Sequence, residues 1–70
     1  MASPTKYTVN VVNSMLGTSR FVGTFDDKIA AETYAVGEAA RARKFVTYEV
    51  WTGTPRQPGR ATTFVTQGTK

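Results

Sequence analysis

The sequence predicts an α+β fold of order ββαββ, in which a four-stranded antiparallel sheet carries one helix packed on one of its faces. Two stretches near each end of the chain are rich in β-branched and aromatic residues and alternate with a period of two, which is typical of half-buried strands. One alanine-rich stretch separates the two pairs, and alanine has the highest helix propensity. Strands that are close in sequence pair in antiparallel fashion, so the helix between them packs on one face of a common sheet.

The first pair of strands is predicted at residues 7–13 and 20–25. The turn between them, residues 14–19, contains a glycine and polar neighbours, which favours an antiparallel hairpin. The period of two places Phe21 and Phe25 on the same face of the second strand.

The helix is predicted to begin at Asp26 and Asp27 and to continue over residues 28–43. An aspartate N-cap accepts bonds from the free backbone N–H groups and is favoured by the helix dipole. At 100° per residue the expected buried face is formed by Ile29, Thr33, Val36 and Ala40, with Ala30 and Gly37 beside them. Because glycine lowers helix stability by up to about 1 kcal/mol relative to alanine, Gly37 predicts a close approach of the helix to the sheet.

The second pair of strands is predicted at residues 45–52 and 61–67, joined by a loop over residues 53–60 that is rich in proline and glycine. The last strand is rich in threonine, and Thr62, Thr63 and Thr66 suit an edge strand that could accept another strand.

The chain is predicted to be one domain over residues 6–67, with a flexible leader at 1–5 and a tail at 68–70. A chain of 70 residues buries only about 60% of its unfolded surface, so the core is thin. Small domains often add a disulfide, a metal or a partner subunit. Cysteine and histidine are both absent, so the sequence predicts no disulfide, no metal and no cofactor, and a partner remains.

Catalysis is not expected, because the sequence has no convergent set of reactive groups. Asp26 and Asp27 are adjacent and would diverge on a helix, the serines have no histidine to activate them, and no glycine-rich phosphate loop is present. No apolar run reaches the length of a membrane span, and the N-terminus lacks the pattern of a signal peptide. We therefore expect a cytoplasmic protein that is not an enzyme and does not contact a membrane.

The net charge of +4 favours anionic partners. Candidate contacts to nucleic acid or to a protein partner are the basic residues Arg20, Arg41, Arg43, Lys44, Arg56 and Arg60. Arg41, Arg43 and Lys44 could instead interact only with the negative end of the helix dipole. Arg56 and Arg60 could instead belong to a simple turn between two strands.

An aromatic surplus accompanies the basic residues, and Phe45 and Trp51 are the candidate aromatic interface. Because one alanine-rich helix covers only one side of the sheet, Trp51, Phe45 or the pair of Phe21 and Phe25 is expected to lie partly on the open side. On the open side they could form a base-stacking platform. The alternatives are burial in a dimer interface or in the core.

The stretch from Phe21 to Ala35, FVGTFDDKIAAETYA, followed by Phe45 to Trp51, FVTYEVW, resembles small accessory proteins of actinobacterial phages. The resemblance covers about residues 7–66. It implies a protein made in a bacterial host cytoplasm and acting on a host protein or on DNA. No functional residues are carried over from it.

The leading hypothesis is a non-enzymatic interaction module that binds a protein partner or itself, as a modulator of a host protein. The alternative is a nucleic-acid-binding protein that uses the basic loop at 53–60 and the basic C-terminal end of the helix. Clustering of the arginines on one face would favour nucleic acid, and scatter would favour a protein partner.

Overall fold

The computed structural model describes residues 5–70, and it confirms the predicted α+β fold with one antiparallel sheet and one helix. Most of the predicted leader therefore lies outside the described residues. The elements are β1 (Tyr7–Asn13), β2 (Thr18–Phe25), α1 (Lys28–Ala39), β3 (Val46–Gly53) and β4 (Pro58–Gln67).

The strand order is β2-β1-β3-β4, and every neighbouring pair is antiparallel. The two strands with the most apolar inward faces, β1 and β3, are central, whereas β2 and β4 form the edges. The predicted loop at 53–60 is much shorter in the structure, because Gly53 adopts φ +98° and allows a tight turn. The backbones of Thr54 and Gln57 close that turn with two mutual hydrogen bonds, and β4 begins directly after it.

A β-bulge interrupts the pairing of β1 with β2 at Gly23, which has φ +68°. Two residues of β2 lie opposite Thr8 at this point, so the alternation of side chains shifts by one position. Phe25 consequently turns to the helix side, where its ring lies 5.3 Å from that of Tyr34. Phe21 stays on the open side, so the prediction that Phe21 and Phe25 share one face is wrong.

The helix has the predicted N-cap but a different buried face. The Asp27 carboxylate accepts a 2.7 Å hydrogen bond from the backbone N–H of Ala30. The residues that α1 buries against the sheet are Ala31, Ala35 and Ala39. Ile29 and Val36, which were expected inside, are 74% and 51% exposed.

The small distance between α1 and the sheet explains why the helix buries alanines instead of larger residues. The buried residues of the core are Val9, Ala31, Ala35, Ala39, Tyr48 and Val50. The side chains of the central strands fill most of the space under the helix, and alanine methyl groups let the helix lie close to them. The close approach is therefore made by alanines, and the Gly37 prediction is wrong, since a Cβ there would meet nothing within 4 Å.

The helix ends at Ala39, four residues before the predicted end, and the chain terminus closes it. The backbone N–H of Thr69 donates to the carbonyls of Ala39 and Ala42, and the N–H of Lys70 donates to Ala42 as well. Residues 68–70, expected as a tail, are thereby bonded to the end of α1 and to the segment that follows it.

Candidate interaction surfaces

The six basic candidate residues divide between the two ends of the sheet. The antiparallel register of β1 with β3 defines a first end near Val46 and a second end near Thr52. Arg41, Arg43 and Lys44 follow the helix at the first end, and Arg20 on β2 lies toward the same end, opposite Val11. Arg56 in the β3–β4 turn and Arg60 near the start of β4 lie at the second end. The structure therefore places Arg41, Arg43 and Lys44 beside the end of β4, Arg20 on the opposite edge strand, and Arg56 and Arg60 at the other end of the sheet.

The charge at the first end is partly offset within the chain. The Arg41 guanidinium forms an ion pair with the carboxylate of Glu38, one turn earlier. Arg41, Arg43 and Lys44 follow the last helical turn, which itself contains no basic residue. Their interaction with the helix dipole is therefore weaker than the sequence predicted.

A cavity of about 350 Å³ adjoins Arg20 on the helix side of the sheet. Val9 on β1 belongs to the core, so Val11, two residues further, faces the same side. Arg20 pairs with Val11 across the strands and projects to that side too. The cavity, which we call the Arg20 groove, is lined by Val11, Asn13, Thr18, Ser19, Arg20, Val46 and Tyr48.

The Arg20 groove is lined by two valines and Tyr48 and by four polar residues, Asn13, Thr18, Ser19 and Arg20. Burial raises the pKa of the Tyr48 hydroxyl, and the negative charge of Glu38 raises it further. The phenol is therefore a neutral donor or acceptor at the groove, and the nearest cation of its lining is Arg20.

A second cavity, of about 320 Å³, lies between α1 and β4. We call it the helix groove, and its lining residues are Ile29, Glu32, Thr33, Val36 and Phe64. Because the helix buries its alanines, the two branched aliphatic residues of α1 lie along this groove instead of in the core.

The open side of the sheet carries an aromatic pair, and it differs from the predicted one. Trp51 makes an edge-to-face contact with Phe21, with ring centroids 5.1 Å apart. Phe45 precedes β3, whereas Trp51 lies near its other end, so the two predicted aromatic residues do not form one surface. Phe21, one of the aromatic residues expected on the open side, does lie there, because it pairs with Asn10 before the bulge.

Polar side chains lie beneath this aromatic pair. The Glu49 carboxylate accepts hydrogen bonds from the indole N–H of Trp51 at 3.0 Å and from the Asn10 amide at 2.9 Å. Thr8 and Asn10 are buried although they lie on the open side of the sheet. Their neighbours across the strands include Trp51 and Phe21, so this side of the sheet is partly covered.

All five carboxylates of the chain have partners within it. Three of them, on Asp26, Glu32 and Glu38, form ion pairs with Lys6, Lys28 and Arg41 respectively. The Asp27 carboxylate caps α1, and Glu49 accepts the two bonds described above. Among residues 5–70 no group of three carboxylates comes together in a way that could hold a metal ion.

The two edges of the sheet differ in regularity. The pairing of β4 with β3 has two register shifts, and the Thr62 hydroxyl donates to the Val50 carbonyl across one of them. The pairing of β2 with β1 is regular from residue 18 to residue 22 and shifts only at the bulge. The last strand is thus at an edge, as expected, but β2 is the more regular edge.

Compared with known proteins, the chain matches no family model, no curated protein and no solved structure. Within the described part of the chain, no helix has the length and apolar character needed to cross a membrane. The class defined by the fold is a small α+β domain with one helix on an antiparallel sheet, and its function has to be inferred from its surfaces.

Proposed function

We propose that this chain is a small non-enzymatic interaction module, which binds a protein partner or a second copy of itself through the helix groove. The observation that carries the proposal is the orientation of α1. The helix buries three alanines and leaves Ile29 and Val36 74% and 51% exposed beside Phe64.

The energetic reason is that these aliphatic side chains are not used in the fold. Fully burying a valine or isoleucine side chain stabilises a structure by about 1.5–3 kcal/mol. Solvent-facing helix positions are better occupied by alanine, glutamate or lysine, which have higher helix propensity and favour solubility. A single exposed aliphatic residue needs no explanation, but several around one groove are typical of a surface that a partner covers.

The engagement of every carboxylate supports a binding role over a catalytic one. General acid–base or nucleophilic catalysis needs reactive groups that converge on a substrate. Here each carboxylate already serves a cap, an ion pair or the Trp51 cluster. The resemblance to phage accessory proteins suggests a host protein in the bacterial cytoplasm as the partner.

The test compares two double variants of the helix that change the charge equally. Ile29→Glu with Val36→Glu places two carboxylates in the groove, whereas Ala30→Glu with Gly37→Glu places two on exposed positions away from it. Self-association is measured by sedimentation, and host proteins are captured from nuclease-treated lysate. We expect the first pair to abolish association and the second pair to retain it.

Equal behaviour of the two double variants would contradict the proposal. If neither variant nor the wild type associates with itself or captures a protein, the helix groove is not a binding surface. Circular dichroism provides the control for folding, and all four positions are solvent-accessible enough for the variants to fold.

Nucleic-acid binding is the second candidate, and the three basic residues that follow α1, Arg41, Arg43 and Lys44, favour it. The separation of Arg56 and Arg60 from these residues weakens it. This candidate predicts that both double variants lower affinity for a DNA or RNA probe equally, because both add two negative charges. Log affinity should also fall by about 0.9 per phosphate contact for each tenfold rise in salt. The absence of any probe shift at low salt would exclude it.

A further inference from the structure

We infer that the outer edge of β2 binds an extended peptide segment that places an acidic residue opposite Arg20. The inference rests on the proposed function as an interaction module, and it names a second surface and the chemistry of its ligand. The segment would add a fifth strand to the sheet beside residues 18–22.

The regularity of this edge is the first observation. Residues 18–22 pair one by one with β1, so their free N–H and C=O groups follow each other at even spacing along the outer side. Such an edge is a template for strand addition. The β4 edge is a poorer template because its two register shifts disturb the outer row of backbone groups.

The accessible helix-side face of this edge is the second observation. Alternate side chains of an added strand would lie on the helix side of the sheet, next to Thr18, Arg20 and Val22. Thr18 and Arg20 are exposed and Val22 is half-buried, so this part of the edge is accessible to a ligand. In strand addition the main chain provides affinity, and contacts of alternate side chains provide specificity.

Charge selects the central residue of the ligand. Among residues 5–70 Arg20 forms no ion pair, and residues 1–4 contain no carboxylate side chain. A residue directly opposite Arg20 on an added strand would have its Cβ about 5 Å from that of Arg20. A glutamate there would pair with the guanidinium, whereas a lysine would be repelled.

The same charge disfavours a second copy of this chain at β2. In a twofold antiparallel pairing of two β2 strands, paired residues must face the same side of the sheet, so one residue of β2 lies opposite its own copy. If that residue is Arg20, the two arginines lie directly opposite each other, and if it is residue 19 or 21, they lie diagonally. Like charges in these positions are destabilising.

The probe is a fluorescein-labelled, amidated peptide of sequence Thr-Leu-Thr-Glu-Thr-Leu-Thr, and its partner probe has lysine in place of glutamate. Fluorescence anisotropy measures both with the wild type, with Arg20→Glu and with the control Arg43→Glu. The two variants change the charge equally, and both positions are exposed. We expect the wild type and Arg43→Glu to prefer the glutamate probe by about threefold, and Arg20→Glu to reverse the preference.

Two N-methylated glutamate probes test strand addition itself. One carries methyl groups on the odd-numbered amides and the other on the even-numbered amides, so only one of them loses the N–H groups that face β2. We expect one probe to lose binding and the other to retain it. Amide chemical-shift changes from the unmethylated probe should map to residues 18–22 and not to β4.

Equal binding of the two N-methylated probes, or an unchanged preference in Arg20→Glu, would overturn the inference. So would the lack of binding by the glutamate probe. If the probe fails while the helix-groove variants still abolish association, only this inference is wrong. If the probe binds β2 while those variants associate like the wild type, the helix groove is excluded and the β2 site stands.

Discussion

At the scale of single residues, the charged side chains serve mainly to hold local structure. Asp27 closes the N-terminus of α1, and the neighbouring Asp26 turns instead to Lys6, which precedes β1. The two adjacent carboxylates thus diverge, as the sequence indicates for residues at the start of a helix. The hydrogen bond from Lys6 and its positive charge hold the pKa of Asp26 below its ordinary value.

Replacement of Lys6 tests this pair. In Lys6→Gln the pKa of Asp26 should return to its ordinary value, measured by NMR titration of the side-chain carboxyl carbon. Because the folded-state pKa of Asp26 is the lower one, the pair stabilises the protein above the unfolded pKa, and this contribution disappears as the pH falls through the folded pKa. Lys28→Gln, which breaks a different ion pair, should leave the Asp26 titration unchanged. A lowered pKa that persists in Lys6→Gln would refute the assignment.

At the scale of elements, the bulge in β2 decides which side each aromatic residue faces. Gly23 supplies the left-handed conformation, and the buried hydroxyl of Thr8 supplies a donor. Its oxygen lies 2.7 Å from the Gly23 carbonyl oxygen and 3.1 Å from that of Val22. This contact lets Phe25 pack under the helix while Phe21 supports Trp51 on the open side.

Thr8→Val keeps the shape of the side chain and removes this donor. We expect the free energy of unfolding to fall by about 0.5–1.5 kcal/mol, because the buried side chain of Thr8 no longer donates to the part-buried carbonyls of the bulge. For a domain of this size each kcal/mol corresponds to a melting temperature lower by about 4–8 °C. The matched control is Thr63→Val on the exposed part of β4, which should change stability by less than about 0.5 kcal/mol. Equal stability of the two variants would contradict this role of Thr8.

At the scale of the whole molecule, the last residues of the chain join the helix to the sheet. Gly68 is buried between the end of β4 and the segment after α1, and its N–H donates to the Val46 carbonyl. A Cβ on Gly68 would lie 1.9 Å from the carbonyl oxygen of Arg43. The alanines thus make the close contact between α1 and the sheet, Gly68 makes the one between the end of β4 and the segment after α1, and Gly37 faces open space.

Substitution of these two glycines should therefore have opposite effects in urea unfolding. Gly68→Ala should destabilise the protein by about 1–3 kcal/mol, because the backbone must shift to relieve the overlap. Gly37→Ala should stabilise it by up to about 1 kcal/mol, because alanine has the higher helix propensity and its methyl group meets nothing. A neutral Gly68→Ala would show that the chain end is not held in the described position.

The sequence by itself determined the order of elements, the extent of β1, the N-cap at Asp27 and the types of residue available for binding. These features depend on local properties, namely a side-chain period of two, alanine propensity and capping chemistry. Only the tertiary structure decided which face of α1 is buried, because alanines and aliphatic residues alternate around the helix and either face could cover a sheet. It also decided the side of Phe25 and the grouping of the arginines, since a bulge and a strand register are set by pairing between distant segments. The sequence shows Ile29, Val36 and Arg20 but not the grooves beside them. The helix groove depends on the orientation of α1, and the Arg20 groove depends on the pairing of β1 with β2 and β3.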